Sequence, residues 1–157
     1  MLPESLQTFE DAAGLDAATP GAIVDGQHTR GELALEIAPD QIIPALRYCK
    51  SQGRYERLSA ITAVDWYPVE PRFEVVYLLH SLARNTRLRL TARVGGTAAE
   101  IDSATAVWAA ANWYEREIFD LFGVRFRNHP DLRRIMLPDD WEGHPLRKDY
   151  PKTGSRV

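Results

Sequence analysis

Along residues 32–37, Leu33, Leu35 and Ile37 alternate with Glu32, Ala34 and Glu36. A period of two marks a half-buried strand. The alternation returns at 87–94, where Leu88, Leu90, Ala92 and Val94 face one way and Arg87, Arg89, Thr91 and Arg93 the other. This predicts an edge strand whose arginines face solvent and discourage aggregation; the alternative is an arginine ladder for an acidic partner. Residues 58–67 are rich in β-branched and aromatic side chains and end at Pro68-Val69-Glu70-Pro71, a rigid turn. Residues 73–82 are apolar on both faces, with Phe73, Val75, Tyr77 and Leu79 on one and Val76, Leu78 and Leu82 on the other. That suits a central strand covered on both sides. A short strand at Ala22-Ile23-Val24, with Asp25-Gly26 as the turn after it, completes the set of five.

Three segments carry helical spacing instead. Leu6, Phe9 and Ala13 predict a short helix over 3–13, stopped by Gly14. Asp40 has the chemistry of an N-cap for a helix to about Gln52, with Pro44 in its first turn and an apolar stripe of Ile42, Leu46 and Cys49. The last helix is predicted over 104–122. At 100° per residue, Val107, Ala111, Tyr114, Ile118, Leu121 and Phe122 form its core stripe. Trp108, Glu115 and Phe119 lie beside that stripe, and Trp113, Arg116, Glu117 and Asp120 share the opposite face. The order α-β-β-α-β-β-β-α, with strands in runs, predicts an α+β fold: a two-layer, roughly five-stranded mixed sheet with helices on one face. The domain is expected over 1–122, followed by a long extended C-terminal arm over 123–157 with no independent fold.

The length of 157 residues suits one domain. No apolar run approaches the roughly 20 residues of a membrane helix, and the N-terminus lacks the basic-then-apolar pattern of a secretory signal. The single Cys49 is expected to be buried, and the lack of a cysteine framework fits a reducing, cytoplasmic compartment. Charge is uneven: residues 1–122 carry 11 Lys/Arg and 17 Asp/Glu, whereas 123–157 carry 8 and 5. An acidic chain with no basic patch interleaved with aromatics argues against nucleic-acid binding.

Candidate chemistry concentrates in the last helix and the arm. Glu115 and Glu117 point about 200° apart, so they cannot share a catalytic site. Arg116 and Asp120, at i and i+4, are expected to pair. The arm carries His129, Asp131, Asp139, Asp140, Glu142 and His144, but without metal-ligand spacing. A small hydrolase using these His and Asp residues is the enzymatic alternative. Trp108, Trp113 and Phe119, set among charges outside the core stripe, are what a protein–protein contact requires. Pro130, Pro138, Pro145 and Pro151 keep the arm irregular, and such long irregular segments are usually functional or docked. Phe126, Met136, Leu137, Trp141, Leu146 and Tyr150 offer anchors, so the arm is expected to wrap a partner and to be mobile and protease-sensitive when the chain is alone.

Glu115-Arg116-Glu117, Asp120, Leu121-Phe122, His129, Arg133 and Ile135-Met136 resemble the motif of the 30-kDa (C-type) subunit family of respiratory complex I, the proton-pumping NADH–quinone oxidoreductase. Gly143-His144-Pro145-Leu146-Arg147-Lys148-Asp149-Tyr150-Pro151 is similar to its ending. Asp65-Trp66, Phe73-Glu74-Val75-Val76-Tyr77, Ser81 and Asn85 match its strand region. The likeness covers about 55–152. It implies a peripheral-arm subunit without catalytic, cofactor or metal residues of its own, with FMN and iron–sulfur clusters residing in partner subunits. The chain would sit at the cytoplasmic face of the bacterial membrane, attached through the complex, against subunits D and B. The equivalent subunit of a related membrane-bound hydrogenase, or of another donor-specific complex, is the nearest alternative. Interface candidates are Trp108, Trp113, Glu115, Arg116, Glu117, Phe119, Asp120, His129, Arg133, Arg134, Trp141, His144, Arg147, Lys148 and Tyr150.

Overall fold

A computed structural model of the chain describes residues 3–152. Five strands form a mixed sheet: β1 (Ile23–Thr29), β2 (Glu32–Ile37), β3 (Arg57–Asp65), β4 (Phe73–Ser81) and β5 (Thr86–Val94), in the order β1-β2-β5-β4-β3. All neighbours are antiparallel except β2 and β5, which run parallel. The helices α1 (Glu10–Ala18), α2 (Ile42–Ser51) and α3 (Ala111–Phe122) share one buried cluster with the inner face of the sheet. Leu35, Ile37, Val75, Tyr77, Leu79 and Leu90 supply the floor, and Ala12, Leu15, Leu46, Cys49 and Ile118 come from the helices. The α+β expectation, with helices on one face, is met.

Several local expectations are corrected. The first helix runs through Gly14 to Ala18, after a separate 3-10 turn at Glu4–Leu6. Gly14 is there for close packing: a Cβ would lie 2.2 Å from the Tyr48 hydroxyl on α2. Asp25-Gly26 lies within β1, and the hairpin turns at Arg30-Gly31, both at positive φ (53° and 81°), as a two-residue hairpin of this hand requires. Asp40 belongs to a 3-10 turn, Pro39–Gln41, and α2 starts without a side-chain cap.

Strand β5 is central, held by β2 and β4, so its arginines are not edge guards. Strand β4 has helices on one side only, and of the residues expected on its second face Val76 is nonetheless buried, at 8% exposure. Its inner residues are buried, whereas Leu78 is partly exposed and Leu82, beyond the strand, is 61% exposed. With the helices on one side, only neighbouring side chains cover the other.

The last helix begins at Ala111, preceded by a 3-10 turn at Ala104–Ala106. Glu115 accepts the Ala104 backbone N–H at 2.6 Å. In one continuous helix, residues 11 positions apart would be separated by about 16 Å, so the break is what allows this contact. Strand β6 (Glu100–Asp102) precedes that turn, and the arm begins with β7 (Arg125–Arg127), which pairs with β6 in parallel. The arm then folds back over the end of α3.

Candidate functional site

The residues singled out in sequence divide into an enclosed set and an outward-facing set. Trp108, Glu115 and Asp120 were expected on a surface offered to a neighbour; they are buried inside this chain at 8%, 0% and 0% exposure. Most of the core stripe is placed as the wheel indicated, with Val107, Ala111 and Ile118 buried and Tyr114 and Phe122 packed against the core, but Leu121 is only half-buried and lies outside that cluster. Much of the remaining helix surface is covered by the chain's own arm, which a helical wheel does not contain.

Trp108 donates its indole N–H to the Glu56 carbonyl at 3.0 Å, and the Lys50 ammonium lies 5.5 Å from its ring. Glu115 ties the break before α3 to the arm. One carboxylate oxygen takes the Ala104 N–H and the other the Ser103 hydroxyl, both at 2.6 Å, and His129 Nε2 lies 3.9 Å away. Burial pushes the Glu115 carboxyl up to about 7, although the Ser103 and Ala104 hydrogen bonds pull the other way. His129 also lies 3.2 Å from the Asn112 carbonyl through Nε2 and accepts the Asp131 N–H through Nδ1.

Asp120 is the anchor of the arm. One oxygen accepts three successive backbone N–H groups, from Ile135, Met136 and Leu137, at 3.0, 2.7 and 2.9 Å. The other accepts from Arg134 at 2.7 Å. Burial alone would raise its pKa, but these four donors outweigh it and leave the carboxyl below its ordinary value. The expected Arg116–Asp120 pair therefore does not form, because the arm consumes that carboxylate. Arg116 stacks on Trp113 and donates to the Arg133 and Arg134 carbonyls.

The Gly-His-Pro-Leu-Arg run closes the helix. A helix end leaves its last carbonyls without intrahelical donors. Here His144 Nδ1 meets the Asp120 carbonyl at 2.8 Å, the Leu146 N–H the Leu121 carbonyl at 3.0 Å, and Arg147 Nε the Phe122 carbonyl at 2.6 Å. Gly123 ends α3 in the left-handed region at φ 77°, and a Cβ there would sit 2.5 Å from the His144 ring and 2.6 Å from Arg147 Nη2. Burial lowers the pKa of His144.

A second clamp joins Asp65 and Asp149, matched above only as part of the family's pattern, through Arg72, which no pattern singled out. Arg72 grips both oxygens of Asp65, each at 2.8 Å, and both oxygens of Asp149, at 3.1 and 2.6 Å. Asp65 also accepts the Lys148 N–H at 2.8 Å, and Arg72 holds its carboxyl well below the usual range. Asp65 and Arg72 sit on opposite sides of the proline-bearing turn, and nothing in their spacing points to residue 149.

The outward set is Trp113, 61% exposed, with Glu117, Arg133 and Lys148. Ile135 and Met136, at 37% and 62% exposure, lie on the same arm. Arg116, Phe119, Arg134, Trp141, His144, Arg147 and Tyr150 are partly covered. Arg134 also donates to the Trp141 and Gly143 carbonyls, and the Tyr150 hydroxyl to that of Glu142. Among the described residues no three His, Cys, Asp or Glu side chains are grouped to hold a metal ion. The arm's two histidines face the chain's own backbone, His129 the Asn112 carbonyl and the Asp131 N–H, and His144 the Asp120 carbonyl.

The profile of the respiratory-chain NADH dehydrogenase 30 kDa subunit family matches residues 35–156. The chain belongs to this family. The family match takes in both the carboxylate anchors and the helix-closing run. The chain is 48% identical over 134 residues to the C-type subunit of the NADH-quinone oxidoreductase of Geobacter sulfurreducens, covering 85% of this chain and 83% of that one. It is 39% identical over 155 residues to the corresponding NADH-quinone oxidoreductase subunit of Rhodobacter capsulatus, covering 98% and 76%. Two solved structures share the fold. The Nqo5 trypsin-resistant fragment 1-134 superposes with a TM-score of 0.63 at 29% identity, over 69% of this chain and 89% of that one. A chain of the membrane-bound sulfane sulfur reductase, an archaeal respiratory membrane complex, gives a TM-score of 0.77 at 28% identity, over 88% and 82%. This family member is thus similar to subunits of multisubunit oxidoreductase complexes. Among the described residues no helix is long and apolar enough to cross a membrane.

Proposed function

We propose that this chain is a cofactor-free subunit of the peripheral arm of a proton-pumping NADH–quinone oxidoreductase, whose contribution is to assemble and position the quinone-site subunits D and B at the cytoplasmic face of the membrane. The observation that carries this reading is the division of labour in the arm. Asp120, Arg134, His144 and Arg147 fix its backbone against α3 from within. Ile135 and Met136 are thereby presented outward on the arm with Arg133, while Trp113 and Glu117 are exposed on α3. Large apolar groups rimmed by charge on a fixed backbone suit a protein partner.

The test is co-expression with the partner subunits of Trp113→Ala and Met136→Asp variants, measuring the yield of complex by its iron–sulfur spectrum and quinone reduction per assembled complex. Assembly is expected to fall by roughly tenfold or more, as losing 1.4 kcal/mol or more of contact implies, while turnover per assembled complex is unchanged. Full assembly with selective loss of turnover would refute the reading. The likeness to the sulfane sulfur reductase complex supports a second reading, the equivalent subunit of a related membrane-bound complex with another electron donor. Purification from native membranes, followed by reduction of the clusters with NADH or with alternative donors, separates the two.

A further inference from the structure

The sheet face turned away from the helices holds the arginine-rich side of β5. Cross-strand register builds it in rows: Arg57–His80–Arg87, then Ala60–Leu78–Arg89–Ala34, then Thr62–Val76–Thr91–Glu36. The middle of this face is apolar or small, and its end is cationic. Between the first two rows lies a cavity of about 420 Å³ lined by Arg57, Leu78, His80, Arg87, Arg89 and Glu32. A second, of about 510 Å³, shares Glu32 and Arg89 and continues over Gln27 and Arg30 at the β1–β2 end. Sharing Glu32 and Arg89, they adjoin, and the groove they outline reaches from β3 to β1 across the strands. At about 4.8 Å per strand, five strands span roughly 20 Å, the length of about six extended residues.

Charge identifies the occupant. Glu32 is the one carboxylate lining either cavity, and it lies 4.0 Å from both Arg87 and Arg89, which remain 75% and 47% exposed. Among the described residues Arg57 forms no ion pair. Four guanidinium groups around one carboxylate leave the groove cationic on an acidic chain. An apolar floor at Leu78, with a carboxylate in the rim, fits a peptide better than a nucleic-acid backbone. Arginine forks favour carboxylates in bidentate geometry.

We propose that this groove receives an extended acidic segment of a neighbouring polypeptide in the assembled complex, an apolar side chain seated on Leu78 and carboxylates bound by Arg57, Arg87 and Arg89. The proposal rests on the reading of the chain as part of such a complex but concerns a face separate from α3 and the arm.

The test places the photo-crosslinker p-benzoylphenylalanine at Leu78, and in a parallel preparation at Trp113, within the co-expressed complex; the linked peptides are sequenced by mass spectrometry. The Leu78 probe is expected to capture another subunit at a segment holding two or more Asp or Glu within about six residues, an extended span of about 20 Å. Arg57→Glu with Arg89→Glu should lower that yield at least tenfold, while Arg57→Lys with Arg89→Lys largely keeps it. Capture at Trp113 with none at Leu78 overturns this proposal and leaves the proposed function intact. Silence at both positions overturns both. Capture at Leu78 of a second copy of this chain, of nucleic acid or of a segment without carboxylates overturns the acidic-segment proposal, as does a charge reversal that leaves the yield unchanged.

Discussion

Removing the Asp120 carboxylate should release the arm from α3 and leave the sheet folded. Asp120→Ala deprives three consecutive backbone N–H groups and the Arg134 guanidinium of their acceptor. Hydrogen bonds to a charged group contribute about 1.5–3 kcal/mol each, and breaking one side of a buried ion pair costs about 3–5 kcal/mol. The contributions overlap, because a loosened arm regains water, so about 3–5 kcal/mol is the sum to expect. At 1.4 kcal/mol per tenfold, that is about two to more than three orders of magnitude in the population of the detached arm. Trypsin cleavage after Arg133 and Arg134 measures that population when opening and closing are fast relative to cleavage. The variant should therefore be cut about a hundred to a few thousand times faster, with the strand signal in circular dichroism retained. Glu117→Ala, on the exposed side of the same helix, should change the rate by less than about threefold. Equal acceleration by both variants, or none by Asp120→Ala, would refute the anchoring role. So would a wild-type arm already cut as fast as an unstructured peptide, which is what its irregular, proline-rich sequence suggests when the anchors are left out of account.

Two further outcomes follow from the same region. The Glu115 carboxyl is pushed by burial from 4.5 to about 7, so the folded state binds its proton more tightly than the unfolded chain. That stability is fully present below about pH 4.5 and is lost as pH rises through 7; at 1.36 kcal/mol per pH unit it amounts to about 3 kcal/mol. Urea midpoints taken from pH 5 to pH 8 should show the decline in wild type and a flatter profile in Glu115→Gln; an equally steep profile in the variant would remove Glu115 as its source. Gly123→Ala should destabilise by about 1 kcal/mol for its positive φ and by a further 1–2 kcal/mol or so for crowding His144 and Arg147. Gly21→Ala, at φ 78° with nothing near its Cβ, isolates the first cost, and equal losses in urea titrations would argue against the close approach.

The sheet was legible because alternation in 32–37 and 87–94 reports directly which side chains face inward, whatever the strand order. The order itself was not. Placing β5 between β2 and β4 depends on a parallel pairing between segments about 55 residues apart in the chain (Leu33 with Leu88), which no local pattern encodes. The break at Ala104–Ala106 was hidden for a related reason: each residue there tolerates a helix, and the departure is fixed by the distant Glu115. On α3 the wheel separated the core stripe except for Leu121 but treated every other position as available. Glu115 and Asp120 look like surface charge in sequence because burial of a carboxylate needs several donors, and the donors to Asp120 lie 14 to 17 residues further along.

If the arm is the docking surface proposed above, the buried carboxylates also explain how a segment so poor in regular structure would serve as one. An arm that ordered only on meeting its partner would lose conformational entropy at that moment, and affinity with it. Here much of the ordering is done within the chain. Asp120 gathers the N–H groups of 135–137, the helix carbonyls take His144 and Arg147, and Asp65 with Arg72 holds 148 and 149. Each anchor turns polar atoms inward and leaves Ile135, Met136 and Leu146 turned out. Conservative replacement of an anchor should therefore weaken assembly without touching the contact itself. The distinguishing measurement is whether a partner-binding deficit in Arg72→Lys disappears when residue 149 is cross-linked to residue 72. Arg72→Lys loses the two-oxygen grip on Asp149, and a tether restores the position of the arm but none of the outward side chains. If tethering restores binding, the arm acts by being held in place beforehand; if it does not, Arg72 meets the partner directly.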